Sequence, residues 1–284
     1  MNQDNTNTLE RLIQQRFNRP ATVPNNLTER QINELHKLLD HRSQRAFQAE
    51  PIAPDLLNLL FACALSAPSK SDLQQADIIH IKSPATRQAV HALIPSMPWV
   101  ADAPVFLVFC GNNRRLRQLC EAHQLPFANH HLDSFMNTAV DAGIVLMNFI
   151  RAAEAVDLAC CPVSVIRNRA AEVSEILQLP QGVFPLAGLC VGYPQYRTQI
   201  SPRLPLSVTV HTDVYDETDQ ARAIEAYDRY RHHVQPLTKS QQRYVDRYGQ
   251  AEFYGWSEDK ARQYSVPERA DFGAYIRSQD FDLS

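Results

Sequence analysis

The sequence predicts a mixed fold of helices and strands, of the α/β or α+β class, on three observations. A chain of 284 residues that is 44% hydrophobic and 21% charged can bury a large core. From residue 41 onward, segments with helical apolar spacing alternate with short apolar runs that are typical of buried strands. Residues 104–110 are apolar throughout, as expected for a central strand that is covered on both faces.

The first forty residues predict a helical arm. Leu9, Leu12 and Phe17 recur at helical spacing, residues 20–26 interrupt the pattern, and residues 27–39 resume it. We expect such an arm to pack on its own domain or on a second subunit.

The core elements follow the arm in order. Pro54 opens a helix that ends near Ser66, with the proline at the first turn, where its missing N–H costs little. A loop of small polar residues at 67–72 then leads to the rest of the core. The further predicted elements are strands at 77–81, 104–110, 158–165 and 184–191, and helices at 131–155 and 168–179.

Residues 131–155 predict the central buried helix. Its predicted buried face consists of Phe135, Ala139, Gly143, Met147 and Ile150. Asp141 on this helix is interpreted as a hydrogen-bonded structural acid. Prolines punctuate residues 194–210, which we expect to be extended, and the polar remainder is predicted to be helical. Within it, Ser257 is predicted to cap a helix that has acids in its first turn.

Composition excludes several functions. With 8 glycines and none spaced as G-x-G, the chain lacks the dinucleotide fingerprint and the phosphate-binding glycine loop, so side chains must hold any bound phosphate. A net charge of −3 argues against nucleic-acid binding, which usually needs a basic surface. No apolar run is long enough to span a membrane and no signal-peptide pattern is visible, so we expect a cytoplasmic protein without membrane contact.

The cysteines and histidines predict neither disulfides nor a metal site. Most of the six cysteines lie in apolar stretches, and we interpret them as reduced thiols; they are Cys63, Cys110, Cys120, Cys160, Cys161 and Cys190. There is no C-x-x-C pattern. The histidine doublets at 130–131 and 232–233 lack companion carboxylates or cysteines, so we expect no metal.

Residues 41–45, with the sequence HRSQR, form the most informative polar cluster. Two guanidinium groups, a hydroxyl and an imidazole within five residues suit a phosphate, because arginine binds phosphate bidentately and stays charged. The alternative is that the cluster binds no ligand and its positive charges only complement the dipole at the C-terminus of the preceding helix. Arg203 is a second cationic residue, held in a proline-rich segment.

Several segments, taken in order, resemble the nitroreductase family of FMN-dependent oxidoreductases. They are HRSQRAF, SAPSKSDLQ, PVFLVFC, RAAEAVDL, IRNRAAEVSEILQLP, PLAGLCVGYP and SPRLP. The resemblance covers about residues 41–203 and is greatest to the NADPH-preferring, oxygen-insensitive nitroreductases and flavin reductases with a long C-terminal extension. It implies an α+β sandwich with a central, mostly antiparallel sheet flanked by helices, and a homodimer with flavins at its interface.

The resemblance also assigns roles to residues. It places the FMN phosphate, the ribityl chain and the N1/O2 side of the ring at His41, Arg42, Ser43 and Arg45, with Gln44 at a variable position between them. It assigns the phosphate also to Ser201, Pro202 and Arg203, the flavin edge to Met97, and a contact across the subunit interface to Ser69. Backbone groups near flavin N5 and O4 are assigned to Pro162, Val163, Ser164 and Val165. Arg247 matches a residue for the 2′-phosphate of NADPH, although a solvated helix residue is an equally good interpretation.

Three departures from the family pattern accompany these assignments. Ser201 stands where the family has a lysine, which removes one positive charge from the phosphate site. Met97 stands where glutamine is frequent, and a thioether cannot donate a hydrogen bond. Residues 162–165 lack the family's glycines, and Pro162 has no N–H to offer.

The resemblance therefore implies an NAD(P)H oxidoreductase in which FMN carries the chemistry and no side chain is a catalytic acid. NADPH or NADH would reduce the flavin, and a nitroaromatic, a quinone or free flavin would take up the electrons in a second, ping-pong step. The alternative is a flavin-binding member with weak turnover that acts in binding or sensing. The predicted organisation is an arm at 1–40, an FMN-binding core at 41–200 and a C-terminal extension at 201–284.

Overall fold

The computed structural model describes residues 2–284, with side chains from residue 7 onward, and forms two compact units. The arm unit consists of Met1–Arg42 and Gln199–Glu268. The sheet unit consists of Ser43–Thr198 and Arg269–Ser284. The predicted cluster at residues 41–45 therefore crosses from one unit to the other after Arg42.

Helices and strands are numbered in chain order. The helices are α1 (Asn2–Phe17), α2 (Glu29–Leu39), α3 (Pro54–Leu65), α4 (Pro84–Ala92), α5 (Arg114–Ala122), α6 (Leu132–Ala155), α7 (Ala170–Leu177), α8 (Leu206–Thr209), α9 (Gln220–Val234), α10 (Val245–Tyr248), α11 (Trp256–Tyr264) and α12 (Phe272–Ser278). The strands are β1 (Ala76–His80), β2 (Val105–Asn112), β3 (Ala159–Val163) and β4 (Val183–Gly192). Short 3-10 helices lie at Lys70–Asp72, Pro98–Asp102, Ser164–Arg169 and Lys239–Gln241.

The sheet unit is built on one sheet with the strand order β1-β2-β4-β3. Every neighbouring pair within the described chain is antiparallel, which confirms the predicted α+β class. The register places Phe106 of β2 and Cys161 of β3 on either side of Cys190 of β4. All residues of β2 are buried, so the prediction of a central strand covered on both faces is confirmed.

Helices cover both faces of this sheet. On one face, Leu107, Phe109 and Leu189 pack in a cluster with Leu60 of α3 and Phe149 of α6. On the other face, Phe106, Val108 and Cys190 pack in a cluster that includes Val90 of α4 and Val173 of α7. The alternation of side chains along each strand sends successive residues to opposite faces, which divides the core into these two layers.

The predicted buried face of α6 is partly wrong. Ile150 is buried, but Met147 is 44% exposed, and no atom lies within 4 Å of the position that a Cβ on Gly143 would take. The helix turns a mixed face inward, made of Ser134, Thr138, Asp141, Ala142, Val145, Phe149, Ile150 and Ala153. Thr138 and Asp141 face inward because buried polar groups need them as hydrogen-bond partners, and the apolar pattern alone carries no sign of this.

The arm unit has a small core of its own. Leu9, Val23 and Ile32 are buried together, and the arm has the two helices, interrupted between them, that its apolar spacing predicts. Thr28 and Gln31 form a capping box at the start of α2: the Gln31 side chain accepts from the Thr28 N–H at 2.7 Å, and the Thr28 hydroxyl accepts from the Gln31 N–H at 3.3 Å.

The start of α11 differs from its prediction. Gly255 is the residue that precedes the helix, and Ser257 lies within the first turn. The carboxylate of Asp228 on α9 accepts from the Ser257 N–H at 2.9 Å and also from its hydroxyl. The prediction of Ser257 as the cap was wrong because a side chain distant in sequence satisfies the free N–H groups of this helix.

Candidate functional site

In the arm unit, the structure brings together two of the predicted phosphate-binding segments. One segment follows α2 and contains His41 and Arg42, and the other contains Ser201, Pro202 and Arg203. A single guanidinium connects them. Arg16, near the end of α1, is 6% exposed and donates to the carbonyl oxygens of both segments.

The hydrogen bonds of Arg16 define this junction. Its Nη2 donates to Leu39 O at 2.7 Å and to His41 O at 2.6 Å, and its Nη1 donates to Ser201 O at 3.2 Å. The backbone takes part as well, because Arg203 N–H donates to Arg16 O at 2.6 Å. This last bond satisfies one of the carbonyl groups that a helix leaves without a partner at its C-terminal end.

The donor set of these segments suits a phosphate. Arg42 is half-buried, pairs with the carboxylate of Asp40 and donates from Nε to Asp40 O at 3.1 Å. Arg203 is exposed, and its Nη1 lies 3.3 Å from Pro202 O. Guanidinium groups bind phosphate oxygens in pairs and stay charged at neutral pH, so this part of the arm unit fits the FMN phosphate chemically.

In the sheet unit, the segment at Ser43–Arg45 runs beside β3. Gln44 N–H donates to Cys160 O at 3.0 Å. The Gln44 side chain is 5% exposed, and its Oε1 accepts from Thr198 N–H at 3.2 Å. The amide of Gln44 therefore fixes the segment, while Arg45 next to it is exposed.

Arg45 lies beside an aromatic ring and a thiol. Its guanidinium carbon is 5.9 Å from the centre of the Trp99 ring, a distance at which a cation is attracted to the ring face. Burial raises the pKa of Cys161, and the positive charge of Arg45 opposes that rise. Met97 is half-buried and packs in the same apolar cluster as Trp99.

Residues 162–165 form the end of β3 and the start of a 3-10 helix. Pro162 is exposed and pairs in register with Leu189, while Val163 is fully buried opposite Gly188. Proline is tolerated here because β3 is an edge strand of this sheet. A Cβ added to Gly188 would lie 2.6 Å from Phe106, so the glycine in this region serves packing within the sheet.

Ser69 is held by Asp141. The Ser69 hydroxyl donates to Asp141 Oδ2 at 2.6 Å, and Lys70 N–H donates to Oδ1 at 3.1 Å. Asp141 is 2% exposed, as the interpretation of a structural acid requires. Ser69 and Asp141 line a cavity of about 1070 Å³ at the edge of the sheet, together with Phe61 and Asp77.

Arg247 lies on α10 and is exposed. Its guanidinium carbon lies 5.4 Å from the centre of the Tyr248 ring. An exposed arginine stacked on tyrosine can meet a phosphate or stay in solvent, so both interpretations of Arg247 stay predictions.

Among the side chains that the structure describes, from residue 7 to residue 284, no group of three or more histidine, cysteine, aspartate or glutamate residues could hold a metal ion. Over the same residues, no helix combines the length and the apolar character needed to cross a bilayer. The six cysteines are all free thiols.

Sequence reasoning missed three residues that shape these regions. Trp99 has a weak signal in the sequence, because it lies two residues after Met97. Thr198 and Arg16 have none: each acts by a hydrogen bond to a segment far away in the chain. Such pairings become visible only when the chain is folded.

Comparisons with known proteins point to one family. The model of the nitroreductase family matches residues 38–193, and that of the nitroreductase family, C-terminal domain, matches residues 201–284. An FMN reductase of Bacillus subtilis that uses NAD(P)H is 37% identical over 201 residues, which cover 69% of this chain and 81% of the relative.

Two further comparisons agree with this. An oxygen-insensitive NADPH nitroreductase of Salmonella typhimurium is 36% identical over 191 residues, which cover 67% of this chain and 78% of the relative. The solved structure of NfrA2 from B. megaterium has a TM-score of 0.79 at 28% identity and covers 88% of this chain and 98% of that chain.

Proposed function

Because the chain belongs to the nitroreductase family and is an FMN-dependent NAD(P)H oxidoreductase, we propose that it works in two separate half-reactions. When bound, FMN would supply the redox chemistry, a two-electron transfer from the nicotinamide to an acceptor. The acceptor is a small molecule, namely a nitroaromatic, a quinone or free flavin. The observation that supports cofactor binding is that Arg16 holds together the segments of residues 39–42 and 201–203, which contain Arg42 and Arg203.

The segments of residues 41–42 and 201–203 hold the phosphate in this proposal. Arg42 and Arg203 bind its oxygens with their guanidinium groups, and His41, Ser201 and Pro202 complete the two segments. Guanidinium groups suit a phosphate because each can donate two parallel hydrogen bonds to its oxygens and stays charged at neutral pH. This arrangement also agrees with the lack of a glycine loop, since side chains take over the role of backbone N–H groups.

Further residues are proposed to bind and orient the flavin ring and ribityl chain. Arg45 brings a permanent positive charge to the N1/O2 side of the ring, which favours negative charge there. Ser43 contacts the phosphate or the ribityl chain, and Gln44 holds the segment between these residues. Met97 lies at the flavin edge, residues 162–165 approach the ring through their backbone, and Ser69 contacts it across the subunit interface. Arg247 meets the 2′-phosphate of NADPH.

The absorption spectrum of the purified protein tests this proposal. We expect a flavin spectrum that bleaches when NADPH is added and returns when a quinone or a nitroaromatic is added. A parallel run with NADH gives the donor preference. A spectrum that stays yellow after both donors would contradict the oxidoreductase and support the flavin-binding alternative.

A double variant tests the phosphate residues separately. Arg42→Ala with Arg203→Ala removes both guanidinium groups, and we expect a folded but colourless protein. Arg197→Ala with Arg222→Ala, at two exposed arginines outside the proposed site, is the matched control and should stay yellow. Full retention of FMN by the first double variant would contradict the assignment.

We also propose a homodimer and a cytoplasmic location. The outer side of α6 presents Leu132, Met136, Val140 and Met147 to solvent, and an exposed apolar stripe of this kind is typical of a subunit interface. Free thiols at all six cysteines suit a reducing compartment. In this proposal the chain is organised as an arm at 1–40, an FMN-binding core at 41–200 and a C-terminal extension at 201–284.

A further inference from the structure

Arg16 is the most deeply buried arginine at the proposed phosphate site, and it lies outside the residues that the nitroreductase family model matches, which begin at residue 38. Its side chain is 6% exposed. Burying a guanidinium is costly unless its N–H groups are satisfied, so a buried arginine marks a place where several acceptors must be held together. Here those acceptors are Leu39 O, His41 O and Ser201 O.

The electrostatics of this junction give Arg16 a second task. Both α1 and α2 end near it, at Phe17 and Leu39, and the C-terminal end of a helix carries partial negative charge. Helix ends with that polarity repel a phosphate. The guanidinium of Arg16 donates to the Leu39 carbonyl from two of its nitrogens, at 3.1 and 2.7 Å, and so offsets that charge.

Two tyrosines of α9 hold the same junction from another side. Tyr227 OH donates to Pro202 O at 3.2 Å, and Tyr230 OH donates to Gln15 O at 2.8 Å. They lie one helical turn apart, so one face of α9 anchors both the end of α1 and the segment of Ser201–Arg203. The guanidinium of Arg16 therefore occupies a rigid position rather than a mobile surface.

We propose that Arg16 is a positioning residue for the phosphate of FMN. It fixes the backbone beside Arg42 and Arg203 and offsets the negative helix ends, so that these two side chains can bind a phosphate monoester. This inference rests on the proposed function, since it takes FMN as the ligand. It gives the N-terminal arm a role in cofactor binding.

Flavin titrations of the apoprotein test the proposal. Arg16→Gln keeps hydrogen-bond donors but loses the charge, and we expect the Kd for FMN to rise roughly 10- to 100-fold, the loss typical of one charged hydrogen-bonding group. Riboflavin lacks the phosphate, and its Kd should change less than about 3-fold because the ring site is untouched. Arg16→Lys keeps the charge and should recover most of the FMN affinity.

The controls separate positioning from general damage. Arg11→Gln removes a charge from the exposed side of the same helix and should leave both flavin affinities unchanged. Inorganic phosphate should compete with FMN in the unsubstituted protein and less well in Arg16→Gln. Equal weakening of FMN and riboflavin in Arg16→Gln, or unchanged FMN affinity, would overturn the proposal.

Hydrogen exchange of the unsubstituted protein provides a test that does not require a variant to fold. FMN should slow the exchange of backbone amides at residues 12–18, because the phosphate segments are bonded to Arg16, whereas riboflavin should not. Protection by FMN at residues 41–45 and 201–203 without any change at 12–18 would contradict the role of Arg16. Failure of the unsubstituted protein to bind any flavin would instead contradict the proposed function.

Discussion

Asp141 is the hydrogen-bond acceptor for three donor groups at residues 69–75. Its carboxylate accepts from the Ser69 hydroxyl, from Lys70 N–H and, at 3.4 Å, from Gln75 N–H. The loop needs this support because Ser71, Asp72 and Gln74 have positive φ angles of 50°, 57° and 50°, a backbone region that disfavours residues other than glycine. A buried carboxylate therefore offsets the strain of the loop that presents Ser69.

Asp141→Asn should weaken this loop. The amide has a similar shape but turns one N–H toward donors, and we expect the free energy of unfolding to fall by about 1–3 kcal/mol. Amide exchange at Lys70 and Gln75 should accelerate in the same variant. Asp133→Asn, at an exposed position of the same helix, is the control and should change neither quantity by more than about 0.5 kcal/mol. An unchanged rate of amide hydrogen exchange at Lys70 would contradict the proposal that Asp141 stabilises this loop.

At the scale of residues, the sequence predicted the chemical role of a side chain better than the residues that it contacts. It indicated that Asp141 is a structural acid, and its hydrogen bonds agree with this. The assignment of Arg42 and Arg203 to a phosphate stays a prediction. The sequence could not assign Gln44 to a hydrogen bond with Thr198, or Arg45 to a place beside Trp99. These contacts depend on which segments the fold makes neighbours.

Among the elements, α11 illustrates where local patterns fail. Ser257 followed by two acids predicts a helix start, yet the cap position is Gly255, two residues earlier, and Asp228 of α9 accepts from the Ser257 N–H. Gly255 is required at this point, because a Cβ there would lie 2.7 Å from Asp228. The sequence predicted the helix and its acidic first turn, while its cap comes from another helix.

Asp259 on the same helix, α11, makes the free energy of unfolding depend on pH. Burial acts to raise the pKa of Asp259, but Lys260, Arg243 and Tyr254 outweigh burial, so the pKa lies below the usual value of about 3.8. Near pH 3.8 the folded arm unit therefore binds fewer protons at Asp259 than the unfolded chain does. The stabilisation is complete above about pH 5 and is lost as the pH falls through 3.8 toward the pKa of the folded state.

Asp259→Asn should remove this effect. Urea unfolding followed at several pH values should show a less stable variant at pH 7 and a difference from the unsubstituted protein that narrows below about pH 4. Asp246→Asn, at an exposed acid of α10, is the control and should follow the unsubstituted protein. A constant difference across the pH range would contradict the role of the Asp259 charge.

At the scale of the whole molecule, the alternation of elements and the class of the fold could be predicted, while the exposed surface could not. The burial pattern of α6 was misassigned because Gly143 and Met147 continue an apolar pattern that the structure turns outward. A sequence cannot separate apolar residues that face the core from those that face a second subunit, since both avoid water.

That outward stripe makes the oligomeric state testable. Leu132, Met136, Val140 and Met147 are 49%, 61%, 48% and 44% exposed, and the open space at Gly143 lies between them on the same helical face. Two copies related by a two-fold axis would bury the stripe of each against the other, and the glycine allows close approach. An apolar stripe along a helix of 24 residues is long enough to contribute to an interface of standard size.

Met136→Glu should separate the dimer. A carboxylate in the middle of the stripe would lose its hydration at the interface and face its own copy across the two-fold axis, so we expect a shift from dimer to monomer in size-exclusion chromatography with light scattering. Leu125→Glu is the matched control, because Leu125 is 62% exposed but lies in the loop after α5, and this variant should remain dimeric. Since Ser69 is proposed to contact flavin across the interface, the monomeric variant should also bind FMN more weakly than the control. A dimeric Met136→Glu variant would place the subunit interface elsewhere on the surface.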